Sequence, residues 1–164
     1  MTFQSDLSQG TRSLACRPIG TSAVNEQLDK SLRPAAEVLS RQAKSRVTNR
    51  IWKLGTRLAN WDGHGSNAPN EKSVQRAAAL AEELIALSCQ TQEWIDPHAG
   101  LDENGDVVLE WWNADRKLTV YVQSDVIEYV KSWGPDIEDQ MEHGPLGAMT
   151  FNKLWEWLRA PAVE

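Results

Sequence analysis

The stretch LANWDGHGSNAPN, residues 58–70, sets Asp62 and His64 two positions apart. An imidazole titrates near neutrality and a neighbouring carboxylate can orient it, so the pair has the makings of a general acid/base or of a metal site. Glu110, in VVLEWW, is a further carboxylate for such chemistry. The three would serve a hydrolase-like enzyme if folding brought the turn beside the strand that carries Glu110. The same turn has a plainer use: an Asp before Gly accepts hydrogen bonds from the amides that follow it, which fixes a corner. Glu110 likewise reads as a solvated cross-strand partner of Thr119.

Other chemistries are discouraged by spacing. His98 and His143 stand far from His64, with no HExxH pattern, so no metal is expected. DENGD, residues 102–106, opens like a calcium loop but lacks the closing Glu at position 12, and reads as a hairpin turn. GHGSNAP lacks the Lys and the length of a phosphate-binding loop, and no GxSxG element is present. Cys16 and Cys89 have neither paired spacing nor metal-like companions and read as free thiols. No cofactor is implied.

Two surface features offer binding instead. Arg46, Arg50, Lys53 and Arg57 recur at helical spacing and form a basic ridge, either a solvated flank or a docking strip for an acidic partner or nucleic acid. The chain also has eight Trp. Most fit core positions, but Trp52, Trp112 and Trp157 fall off the main apolar stripes, and Trp beside Tyr121 is the kind of anchor that protein interfaces use. Asp136, Glu138, Asp139 and Glu142 sit in GPDIEDQMEHGP, an acidic segment bracketed by Gly-Pro pairs that reads as an irregular loop.

The elements that must position these residues follow from periodicity. Residues 1–33 show no apolar period and read as a flexible tail, with a single domain over residues 34–164. From Pro34, a helix is expected to run to Asn60 or Trp61, because Val47, Ile51, Leu54, Leu58 and Trp61 share one face. Gly63 or Gly65 would then end it, and Asn70 would cap a second helix over Glu71–Leu87. Beyond Gln90 the period falls to two. Two-residue loops at Ala114-Asp115 and Ser124-Asp125 would pair Trp111 with Leu118, Leu109 with Val120, Val107 with Val122, Val120 with Tyr129 and Val122 with Ile127. One face would be apolar; the other would carry Val108, Glu110, Trp112, Thr119, Tyr121, Glu128 and Val130, with Trp112 opposite Lys117. A strand around Trp94–Leu101 contains Pro97, which restricts it to a sheet edge. Phe151, Leu154, Trp155 and Leu158 mark a closing amphipathic helix.

The expected class is therefore α+β: two N-terminal helices, an antiparallel meander of three to four strands, and a C-terminal helix packed on one sheet face. The formal net charge of −6 divides unevenly, with 10 Lys and Arg against 4 Asp and Glu up to Trp61, and 7 against 19 from Asp62 onward. Such asymmetry fits a basic binding segment, an acidic surface that repels nucleic acid, or two halves that attract each other. No apolar run is long enough to cross a bilayer and the N-terminus has no apolar signal core, so a cytoplasmic protein without membrane contact is expected.

NWDGHGSNAP before a helix, with ENGDVVLEWW, LTVYV and IEYV after it, resembles a group of small uncharacterised bacterial proteins. In that group a Trp-Asp-Gly-(Tyr or His)-Gly turn precedes a helix and a Leu-Glu-Trp strand opens a meander. The resemblance implies architecture, with Trp61, Asp62, Gly63, Gly65, Glu110 and Trp111 as its motif set, and no activity. The leading functional expectation is a non-enzymatic protein–protein interaction module, such as a small inhibitor, antitoxin or accessory protein that occludes a partner. Its surface would be the aromatic sheet face, which a second subunit could equally cover as a homodimer, together with the acidic segment. An enzyme built on Asp62, His64 and Glu110 is the alternative, and nucleic-acid binding through the basic ridge the second.

Overall fold

The computed structural model describes residues 21–88, 94–134, 136 and 139–161, with side chains described from Glu37 onward. The chain divides into two units after Pro34, and the fold described below is that of the second, Ala35–Glu164. In chain order the elements are α1 (Thr21–Leu54), α2 (Glu71–Ser88), β1 (His98–Leu101), β2 (Val107–Asn113), β3 (Arg116–Val122), β4 (Ile127–Trp133), β5 (Met141–Pro145) and α3 (Ala148–Arg159). The class is α+β, and the sheet has five strands where three to four were expected. Residues 1–20 of the expected tail, Cys16 among them, lie outside the described residues, as does Cys89; the first helix begins at Thr21, ahead of the expected Pro34.

The sheet is antiparallel throughout, in the order β1-β2-β3-β4-β5. Every register expected from the two-residue loops is present: Trp111 faces Leu118, Leu109 faces Val120, Val107 faces Val122, Val120 faces Tyr129 and Val122 faces Ile127. Because side chains alternate along a strand, these pairs put one set of residues on one face. Val107, Leu109, Trp111, Leu118, Val120 and Val122 are all buried there, against Val47, Ile51 and Leu54 of α1, Val74, Leu84 and Ile85 of α2, and Phe151, Leu154, Trp155 and Leu158 of α3. Trp111 is central: its ring meets Trp94 and Trp155 edge-on at 6.1 Å, and its Nε1 donates to the Ile95 carbonyl at 2.9 Å. Truncating a Trp so enclosed costs about 3–5 kcal/mol.

Other boundaries also differ from the periodicity. α1 ends at Leu54, not at Asn60 or Trp61. At Gly55 an added Cβ would lie 3.3 Å from the Trp52 carbonyl oxygen and 3.4 Å from Val74, so the chain leaves α1 where it comes close to α2. Leu58 is 81% exposed, and its helical spacing is coincidental. The segment read as an acidic loop contributes β5, which pairs Lys131 with Glu142 and Tyr129 with Gly144. As an edge strand with open solvent beside it, β5 carries no apolar alternation. At the other edge lies β1, as expected, but it begins only at His98: the strand expected around Trp94–Leu101 is shortened, and Pro97, which cannot donate to the ladder, precedes it rather than lying within it.

Candidate functional site

The Trp-Asp-Gly-His-Gly turn is a corner held by its own side chains. Asp62 Oδ1 accepts from the amides of His64 at 2.9 Å and Ser66 at 3.4 Å, and Asn60 Oδ1 accepts from the Gly65 amide at 2.8 Å. Positive φ at Asn60 (59°), Gly63 (77°) and Gly65 (90°) folds the chain back so that the Asn60 amide reaches the Ser66 carbonyl at 2.7 Å. The His64 amide holds the Asp62 carboxyl below the usual carboxylate range. A more acidic carboxylate is a weaker base, the opposite of what general base catalysis asks.

From this corner the chain docks on the β1–β2 hairpin, the amides of Asn67 and Asn70 donating to the carbonyls of Glu103 and Gly105 at 2.9 and 2.8 Å. Asn70 caps α2 as expected, accepting from Lys72 and Ser73, while Ser73 Oγ accepts from the Val107 amide and donates to the Val122 carbonyl. DENGD is the hairpin turn: Asp102 Oδ1 accepts from the amides of Asn104 and Asp106. Glu110 is the fourth residue of β2, beyond the hairpin turn on which the corner docks. The corner carrying Asp62 and His64 and the strand position of Glu110 are thus set by different parts of the fold. No group of three or more His, Cys, Asp or Glu side chains among the described residues is arranged to hold a metal.

The basic ridge is partly spent on structure. Arg46 makes a two-pronged pair with Asp96 at 3.0 and 3.3 Å, and Arg50 donates to the Pro97 carbonyl at 2.9 Å, tying α1 to the approach to β1. Arg57, expected on the helix, lies beyond its end and stacks over the Trp61 ring at 4.9 Å. Lys53 is exposed in the last turn of α1.

The sheet face turned away from the helices carries the largest group of the expected residues. Its middle rows are His98, Glu110, Thr119, Val130 and His143, flanked by Trp112, Lys117, Ser132 and Met141 on one side and by Val108, Tyr121, Glu128 and Pro145 on the other. Lys117 Nζ reaches Glu110 Oε1 at 2.5 Å and stands 5.2 Å from the Trp112 ring. Thr119 Oγ1 donates to Glu110 at 3.4 Å, His98 Nδ1 lies 3.9 Å from the same carboxylate, and the His98 and Trp112 rings meet edge-on at 6.1 Å. Trp112 is 50% exposed and Tyr121 36%. Glu110 is therefore the hub of a surface cluster that sequence reasoning assembled only as the pairs Glu110–Thr119 and Trp112–Lys117; His98 joins through the β1 register.

The remaining expected anchors lie elsewhere. Trp52 is on α1, half exposed. Trp157 of α3 is half-buried on the helix side, edge-on to Trp133 at 6.1 Å with Arg116 and Lys131 over its ring. Of the acidic residues, Glu138 lies outside the described residues, Asp136 and Asp139 are exposed before β5, and Glu142 is on β5 itself. Glu142 accepts from Tyr129 Oη at 2.8 Å and pairs with Lys131 Nζ at 2.6 Å. Lys131 holds its carboxyl below the usual range, and Glu142 in turn pushes the Tyr129 phenol up. The acidic segment is thus in part an intramolecular partner of β4. Among the described residues no helix is long and apolar enough to cross a membrane. In comparisons with protein-family models, curated proteins and solved structures, nothing matches the chain.

Proposed function

We propose that the chain is a non-enzymatic protein–protein interaction module whose contact surface is the open sheet face around Trp112 and Tyr121, and that it acts by covering a site on its partner. One observation carries this reading: Trp112, half exposed, and Tyr121, about a third exposed, stand on a sheet face that the helices leave uncovered, beside the compact Lys117–Glu110–His98 cluster. Aromatic anchors next to fixed polar groups are the arrangement in which a few residues dominate binding. The rigid sheet presents them with little ordering to be done on association.

The test is affinity capture from host lysate with the wild type and with Trp112→Ala, Tyr121→Ala and Asp62→Ala variants, read by mass spectrometry and followed by binding measurements on the purified partner. Loss of at least tenfold in affinity with either aromatic variant, and retention with a folded Asp62→Ala variant, is the expected pattern. A partner that binds all variants equally, or none captured by the wild type, overturns the reading.

A further inference from the structure

On the helix side of the sheet, a cleft of about 400 Å³ opens between β4, β5 and the start of α3, lined by Tyr129, Lys131, Glu142, Met149, Thr150, Lys153 and Leu154. Lys131 is the unusual member. It lies in register with Leu118 on the face that elsewhere buries apolar side chains, and only 17% of its side chain is exposed. Its Nζ stands 5.5 Å from the Trp133 ring and 5.4 Å from the Trp157 ring, so the ammonium is steered between two aromatic faces toward the cleft. Beside it the phenol of Tyr129, itself buried, offers a second donor.

Glu142 shows what these donors bind. One carboxylate oxygen takes the Tyr129 hydroxyl and the other takes Lys131, so a carboxylate is gripped at both oxygens. Glu142 sits on an edge strand with half of its side chain in solvent, so its own carboxylate regains water if it swings out, and the cost falls on the largely buried Lys131 unless another carboxylate takes its place. Lys153 lines the same cleft, and the start of α3, capped by no side chain, adds positive potential. Leu154 and the largely exposed Met149 give the cleft an apolar edge, and the volume falls in the range of small-ligand sites.

We infer that this cleft binds a small organic carboxylate, whose head group takes the place of Glu142 on Tyr129 and Lys131 while its apolar body lies against Met149 and Leu154. Glu142 then acts as a built-in competitor that keeps affinity low until it is displaced. The site is on the opposite side of the sheet from Trp112 and Tyr121, so its failure and the failure of the interaction surface are separate results.

Benzoate is the probe, titrated into the full chain at constant ionic strength and followed by amide NMR shifts. In the wild type, shifts should centre on Tyr129, Lys131, Thr150 and Leu154 with millimolar affinity. Glu142→Gln should tighten binding about tenfold by removing the competing charge, and Lys131→Met, which keeps the stem between the Trp rings, should abolish it. Tyr129→Phe, a change of one hydroxyl, should weaken binding several-fold and serves where the Met variant fails to fold. Absence of localised shifts in both wild type and Glu142→Gln, or affinity indifferent to Lys131→Met and Tyr129→Phe, overturns the assignment. So does inorganic phosphate binding as tightly as benzoate, since the apolar edge would then contribute nothing.

Discussion

Asn70 clasps Asp106 across the gap between α2 and the β1–β2 hairpin: its Nδ2 donates to Asp106 Oδ1 at 3.0 Å and to Ser124 Oγ at 2.8 Å, while its Oδ1 accepts from the first turn of α2. One side chain therefore starts a helix and joins it to two hairpin turns. Replacing Asn70 by Ala removes a cap, about 1 kcal/mol, and leaves Asp106 without that donor, about 1–2 kcal/mol more. Urea unfolding should show a loss of roughly 2–3 kcal/mol. A loss below about 0.5 kcal/mol, the scale of an ordinary surface change, would mean that the clasp contributes nothing.

The cap at Asn70 was legible because it depends only on neighbours in sequence, and so were the strand registers, because alternation and two-residue loops fix them jointly. The end of α1 was not: Leu58 and Trp61 continue the helical spacing, and nothing local to them reveals that Gly55 lies against Val74. β5 was missed because an exposed edge strand has no inward apolar row. The cleft did leave a trace, since Lys131 occupies a place in the Ile127–Tyr129 alternation where an apolar residue is due. Its partner Glu142 became visible only with the β4–β5 register.

Two of the perturbed carboxylates, Asp106 and Glu142, should give stability differences of opposite sign. Burial, then repulsion from Asp102, raises the Asp106 carboxyl above its ordinary value. Folding therefore favours its protonated form, and the penalty for ionising it grows as pH rises from the ordinary value through the raised one. Asp106→Asn should be more stable than wild type at pH 7, with the gain vanishing below about pH 4, near the ordinary carboxylate value. For Glu142, lowered chiefly by Lys131, the stabilisation is present above the ordinary value and is lost as pH falls through the lowered one. Glu142→Gln should be less stable at pH 7, with the deficit closing in acid. Urea midpoints of both variants against wild type from pH 2.5 to 7 check the signs, and two curves sloping the same way would contradict them.

Glycines with similar backbone angles should respond differently to Ala. Gly63 (φ +77°) and Gly65 (φ +90°) face open space, so Gly63→Ala should cost only the conformational term, about 1 kcal/mol. At Gly105 (φ +85°) an added Cβ would fall 2.2 Å from the Ala68 carbonyl oxygen, where the corner docks on the hairpin. Gly105→Ala should exceed the Gly63→Ala cost by at least about 2 kcal/mol, and amide exchange should rise at Asn67 and Asn70. Equal costs at the two sites would show that the docking yields without penalty.

Arg50 offers a check on the basic ridge. Because its guanidinium holds the Pro97 carbonyl, Arg50→Glu should lower the melting temperature and loosen amide exchange at β1. Affinity for duplex DNA should be the same in the variant as in the wild type at 50 mM salt, a condition under which phosphate contacts are strong. A tenfold fall in DNA affinity without a stability change would instead make the ridge a nucleic-acid contact.

A sheet whose spatial order repeats its chain order has consequences for how the molecule forms. Each strand needs only its predecessor, so the meander from β1 to β5 can zip by closing short loops one after another. On loop-closure grounds the expected slow event is the arrival of α1 and α2 on the meander, which closes long loops in the second unit. The contacts of Arg50 with Pro97 and of Ser73 with Val122, 47 and 49 residues apart, belong to that late step. Mutations there should act mainly on whichever rate limits docking, whereas changes within the hairpins should leave that rate nearly untouched.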